Sequence, residues 1–241
     1  NVLRAMAPPD RRPRTCLMST IAAHLDDVLS RIARATANVG RPAGSVHLLA
    51  VSKTFGADAV REAIAAGQRA FGENYVQESL DKIAALTGET VGGAPLEWHF
   101  IGPLQSNKTR PVAAHFDWVH SVDRLKIAER LSAQRPADLP PLQVCLQVNI
   151  SGEASKSGVA PAEVPAVARA VAGLPNLKLR GLMAIPEPED DPARQRAPFR
   201  AVRELFDALR ADGLALDTLS MGMSGDLEAA IAEGATMVRI G

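Results

Sequence analysis

The chain has 241 residues, 46% of them apolar and 22% charged, a globular balance that excludes a disordered polymer and leaves enough length for a core without disulfide or metal staples. Lysine plus arginine equals aspartate plus glutamate at 27 each, so the basic excess of a protein that neutralises nucleic-acid phosphates is missing, and no nucleic-acid partner is expected. Cys16 and Cys145 lie in such different settings that they make neither a disulfide framework nor a zinc site, and no apolar run approaches the ~20 residues of a membrane helix; no membrane partner and a cytoplasmic address are expected.

Residues 1–17, NVLRAMAPPDRRPRTCL, carry four arginines and three prolines but no apolar h-region. They read as a disordered leader or upstream extension rather than a secretory signal. Residues 18–241 are expected to form one domain, since no linker or composition break divides them. A helix over 21–37 comes first. Eight short β-rich runs follow at 46–51, 69–71, 96–101, 118–120, 142–150, 177–185, 216–220 and 236–240, with helical patterns between them.

Residues 58–66 put Val60 and Ile64 on one face and stop at Gly67. Asp123 is expected to cap a helix carrying Leu125, Ala128 and Leu131. Val164, Val167 and Val171 mark the next stripe; Phe199, Val202, Phe206 and Leu209 another; residues 226–231 a short one ended by Gly234. Runs rich in Val, Ile and Leu on both faces suit a parallel sheet covered by helices, and about eight such right-handed units close into an α/β (β/α)8 TIM barrel. An open doubly wound sheet is the alternative, but neither G-x-G-x-x-G nor a P-loop is present.

In such barrels the functional residues lie where strands end at the C-terminal face. The first run ends in Ser52-Lys53-Thr54, the second in Glu73-Asn74-Tyr75, the third in Gly102-Pro103 after His99, the seventh in Ser220 to Gly225 before a helix at Asp226, and the eighth holds Arg239. A lysine at an apolar mouth suits a Schiff-base role, against the plainer reading of a surface lysine. Small residues running into a helix start suit an anion, and the loops after strands seven and eight are where barrels commonly hold phosphate. Lysine plus phosphate site suggests pyridoxal 5′-phosphate.

The other candidates stay modest. Five histidines show no metal-ligand spacing, and His99 either stacks near the cofactor or is a satisfied core histidine. Gly222-Met223-Ser224-Gly225 is one residue short of a G-x-S-x-G elbow. Met183, Met221 and Met223 suit packing. Glu187, Glu189, Asp190 and Asp191 form either a solvated loop or a docking surface for basic partners. Lys108, Ser155 and Lys156 face the mouth, where they either guide a second anion or are simply solvated.

AVSKT, AGQRAFGENYVQE, EWHFIGPLQSNK, LRGLMAIP, LSMGMSGDLEAAI and GATMVRIG resemble, in order, the pyridoxal phosphate homeostasis protein family, over about residues 18–241. The resemblance implies a fold-type III barrel similar to the alanine racemase N-terminal domain, with pyridoxal 5′-phosphate held as an aldimine. It implies Lys53 as the covalent lysine, Ser224 with its loop and Gly241 as phosphate ligands, Arg239 as partner of the pyridine nitrogen, and Asn74 at the cofactor mouth. It further implies a monomer that keeps free cofactor low and supplies it to apo-enzymes, with effects on amino-acid homeostasis and no established catalytic reaction. The family continues past VRIG with a threonine and a stretch resembling TAIFG. A barrel lacking its closing C-terminal helix and one phosphate-contacting hydroxyl is therefore expected.

Two other functions compete. One is a pyridoxal-phosphate-dependent amino-acid racemase, which needs a second proton acceptor opposite Lys53; alanine racemase is understood to supply a tyrosine from a second domain, whereas here Tyr75 is the only tyrosine. The other is a barrel that binds a different phosphorylated ligand.

Overall fold

The computed structural model describes residues 20–154 and 157–241. The leader, Cys16, Ser155 and Lys156 lie outside the described residues. Eight parallel strands close into a barrel: β1 (His47–Val51), β2 (Ala70–Glu73), β3 (Glu97–Phe100), β4 (Trp118–Val122), β5 (Leu142–Gln147), β6 (Leu177–Met183), β7 (Thr218–Ser220) and β8 (Met237–Ile240). Every strand is hydrogen-bonded to its sequence neighbour, and β8 returns to β1 with Leu49 opposite Arg239. All eight expected runs become strands, several of them shorter. The fifth run, read to residue 150, leaves the ladder after Gln147, and Val148 continues only as a single bridge to Val159.

Helices alternate with the strands: α1 (Thr20–Asn38), α2 (Ala57–Ala65), α3 (Val76–Ala85), α4 (Thr109–His115), α5 (Leu125–Gln134), α6 (Val164–Ala172), α7 (Pro192–Ala211) and α8 (Leu227–Ala232). Seven of them follow β1 to β7. The eighth place in the helical layer, which the sequence reading left open, is filled from the other end of the chain: α1 packs between α8 and α2. Arg31 of α1 pairs with Glu228 of α8 at 2.6 Å, and Arg41 Nη1 donates to the Ile231 carbonyl at 2.8 Å. One further expectation fails. Asp123 does not cap α5, whose N-cap is Arg124 with no side-chain cap bond; Asp123 accepts from that arginine instead.

Alternation along each strand separates two interiors. Val119, Val144, Leu146, Leu182 and Val238 point outward into a continuous apolar layer shared with Ile127, Leu131, Val171, Phe199 and Val202 of the helices. Trp118, Cys145 and Met183 form a separate small cluster. Burial pushes the Cys145 thiol up to about 12, leaving it an inert packing group. Beside it lie buried His99, His120, Ser220 and Arg239. The helix–strand layer carries most of the apolar burial, at about 1.5–3 kcal/mol per large side chain, and the barrel lumen carries polar groups.

Candidate functional site

The C-terminal face is built on four adjacent strands. In barrel order β7, β8, β1 and β2 lead to Ser224, to Arg239 and Gly241, to Lys53, and to Asn74. A Cβ on Gly241 would lie 3.4 Å from the Val51 side chain, two residues before Lys53. The proposed ligands thus share one sector of one face, although the loops bearing them are spread across 189 positions of sequence, from residue 53 to residue 241.

Lys53 is exposed, and among the described residues no hydrogen bond or ion pair holds its amine. Its backbone, by contrast, is tied down. Ser52 Oγ donates to Glu73 Oε1 at 2.6 Å, Lys82 Nζ donates to the Ser52 carbonyl at 2.7 Å and to Glu73 Oε1 at 2.6 Å, and the Thr54 N–H donates to Glu78 Oε1 at 2.6 Å. Thr54 sits at φ 67°, a left-handed conformation that costs a β-branched residue about 1–3 kcal/mol. The side chains of Glu73, Glu78 and Lys82, from β2 and α3, hold that turn in place beneath the Lys53 amine.

Arg239 is buried, and burial lowers its guanidinium to about 10, still charged at neutral pH. Its Nη1 donates to Ser220 Oγ at 2.7 Å and its Nη2 to the Ala184 carbonyl at 3.0 Å. His120 Nδ1 lies 2.7 Å from the same serine oxygen, His120 Nε2 is 2.8 Å from His99 Nδ1, and His99 Nε2 is 2.8 Å from Glu97 Oε1. His99 also stacks on Trp118, with centroids 5.1 Å apart and planes within 12°. Of the two sequence readings of His99, the structure favours the satisfied core histidine.

Asn74 follows β2 directly, and its backbone is pressed against Gly102 of the third loop: a Cβ there would lie 2.5 Å from the Asn74 carbonyl oxygen. Only glycine permits that approach. Asn74 Oδ1 is buried without a hydrogen-bond partner, at a cavity of about 330 Å³ lined also by Ile101, Gln147, Asn149 and Ile185. In the seventh loop Gly222 adopts φ 102° with α8 against it, while Ser224 and Gly225 stand exposed. Asp226 Oδ1 accepts from the Met223 N–H at 2.7 Å, folding the loop back on itself. Burial raises the Asp226 carboxyl, with the Arg239 charge opposing it.

Lys108 ends a 3-10 turn before α4 and is exposed. Among the described residues no group of three or more His, Cys, Asp and Glu side chains is arranged to hold a metal ion. No helix among them is long and apolar enough to cross a membrane. Sequence reading assigned no role at the site to Glu73, Lys82, Glu97, His120 or Ser220. For Glu97 and His120 the signal was a polar side chain at an alternate position of an apolar strand: Glu97 and His99, then Trp118 and His120, share a face two residues apart.

Residues 24–241 match the family described as alanine racemase, N-terminal domain. Over 224 residues the chain is 66% identical to the pyridoxal phosphate homeostasis protein of Pseudomonas aeruginosa, an alignment covering 93% of this chain and 94% of that one. It is 57% identical over 224 residues to the protein of the same name from Escherichia coli, covering 93% and 95%. Among solved structures, PipY of Synechococcus elongatus with PLP bound matches with a TM-score of 0.79 and 41% identity, covering 92% of this chain and 97% of that one.

Proposed function

The chain belongs to the pyridoxal phosphate homeostasis protein family, and we propose on that premise that it binds pyridoxal 5′-phosphate and buffers or supplies it to apo-enzymes rather than running a reaction on it. The observation that carries the reading is the convergence of Lys53, Asn74, Arg239, Gly241 and Ser224 on one sector of the C-terminal face. The groups present suit this cofactor. An exposed primary amine, a buried charged guanidinium with donors to spare, an unpartnered buried amide oxygen and an exposed Ser-Gly turn complement an aldehyde, a ring nitrogen, a phenolic hydroxyl and a phosphate.

When bound, the cofactor supplies an aldehyde that condenses with amines and a pyridine ring that withdraws electrons. Lys53 would provide the amine that condenses with that aldehyde, with loss of water, from a turn fixed by Glu73, Glu78 and Lys82. Ser224 and Gly241 would take the phosphate. Arg239 would face the ring nitrogen; a guanidinium at this position is already charged and accepts no proton, so it would disfavour a pyridinium and weaken the electron sink. A racemase also needs a second base opposite the lysine, and Tyr75, the one tyrosine of the chain, stands exposed at the N-terminus of α3. Binding and release are the activity this arrangement favours, in a cytoplasmic monomer that meets apo-enzymes transiently.

The test sets two assays side by side on cofactor-loaded protein. Transfer to an apo-enzyme should restore that enzyme's activity, while turnover of alanine and other amino acids should stay far below the ~1 s⁻¹ of ordinary enzymes. Racemisation at that rate or above would install the alternative, a pyridoxal-phosphate-dependent amino-acid racemase.

A further inference from the structure

The lumen contains an unbroken hydrogen-bonded row that crosses the barrel: Glu97 on β3, His99 on β3, His120 on β4, Ser220 on β7 and Arg239 on β8. Its two ends fix its direction. Arg239 has only donors, so Ser220 Oγ accepts from it. Glu97 is held below the usual carboxylate range by its hydrogen bond to His99 and is an acceptor, so His99 Nε2 carries a hydrogen.

Burial lowers both histidines, His120 strongly, and each is a neutral ring with one N–H. With its hydrogen on Nε2, His99 offers a bare Nδ1, which accepts from His120 Nε2–H. His120 in turn offers a bare Nδ1, which accepts the Ser220 hydroxyl hydrogen. Every link then donates the same way, from Arg239 to Glu97, and no other assignment of two neutral rings satisfies both ends.

We infer that Glu97, His99, His120 and Ser220 are positioning residues for Arg239: a one-directional row that ties the guanidinium to a carboxylate across the lumen and so fixes the charge facing the cofactor's ring nitrogen. The inference rests on the functional reading above for what Arg239 faces. The four contacts of the row stand on geometry. Glu97 is the first residue of β3, at the opposite face of the barrel, where its side chain is 27% exposed in a cavity of about 700 Å³ lined also by Arg69, Arg180 and Asp217. A substitution there is remote from Lys53 and Ser224, yet the row connects it to the site.

Four charged groups bear on the two rings: Glu97, Asp117 and Arg69 at the His99 end, and Arg239 at the His120 end. The two histidines carry unlike neighbours but share one tautomer. That shared state is the signature of the row and needs no cofactor to be seen.

The experiment has two arms. Nitrogen NMR of the histidines in cofactor-free protein should find His99 and His120 both with hydrogen on Nε2 and a bare Nδ1, neutral at pH 7. An Nδ1–H tautomer at either ring, or a charged ring, overturns the row. In the second arm, Ser220→Ala and Glu97→Ala are loaded with pyridoxal 5′-phosphate. Both should shift its absorption maximum and speed its release about tenfold, the worth of one hydrogen bond to a charged group. Glu97→Gln keeps an acceptor oxygen, and its spectrum should lie between those of Glu97→Ala and the unmutated chain. Unmutated spectra and release rates in Ser220→Ala and Glu97→Ala, with unfolding midpoints retained, would reduce the row to a structural strut and overturn the inference. An unmutated chain that takes up no cofactor contradicts the functional reading itself, and that outcome appears before any variant is compared.

Discussion

His120 Nδ1 meets Ser220 Oγ at 2.7 Å across the barrel lumen, joining β4 to β7 over 100 positions of sequence. In this eight-stranded barrel the two strands stand three places apart around the ring, and lumens of this size are usually filled by branched apolar side chains. Both residues are fully buried in the same lumen as the small cluster of Trp118, Cys145 and Met183, and a hydrogen bond in such surroundings is stronger than one in water. The same burial makes the pair sensitive to acid.

Stability should therefore fall as pH drops. Both histidines are depressed in the fold, so below the ordinary value near ~6.5 the unfolded chain binds protons that the folded chain refuses. Stability is complete above that value and is lost below it, by about 1.4 kcal/mol per pH unit for each refused proton. Glu97, also depressed, adds a loss of the same sign once pH falls below ~4.3. Denaturant unfolding from pH 7.5 to 5 should give a positive slope that shrinks in His120→Gln. An equal slope in both proteins would mean that His120 titrates normally.

Lys82→Met should be costly. It leaves Glu73 buried without its cation, and removing one partner of a buried pair typically costs about 3–5 kcal/mol. Adding Glu73→Gln should recover part of that loss, a coupling that unfolding of the two single variants and the double variant measures directly. A cost below ~1 kcal/mol for Lys82→Met would show that the turn at Thr54 needs no such clamp.

Ser224→Asp sets a carboxylate where the phosphate is proposed to lie. Pyridoxal 5′-phosphate binding should weaken at least ~10-fold through like-charge repulsion in a partly dry site. Pyridoxal, which lacks the phosphate, should bind as before. Parallel titrations with the two ligands separate the outcomes: equal losses would point to misfolding, and undiminished binding of both would place the phosphate elsewhere.

The strands and most helices were legible because their apolar positions repeat with the right period. In α7, Phe199, Val202, Phe206 and Leu209 are all buried as their spacing requires. Helix α3 was missed although Val76, Leu80 and Ile83 recur at helical spacing and Val76 and Ile83 pack against the core; its fully buried positions, Ser79 and Lys82, are polar and gave no signal. The filling of the eighth helical place by α1 follows from three-dimensional packing with α8, not from any local pattern. Lys53 and Arg239 were legible as polar residues at strand ends. The row behind Arg239 was not, because its links join strands that the sequence separates by up to 100 residues.

The most direct measurement of the central claim is borohydride reduction of the cofactor-loaded chain followed by peptide mass mapping. The account predicts that the near-visible absorption band disappears on reduction, that the pyridoxyl group is found on Lys53, and that Lys53→Ala shows neither the band nor the modified peptide. A label found mainly on Lys108 or Lys156, or a band that survives Lys53→Ala, would contradict it.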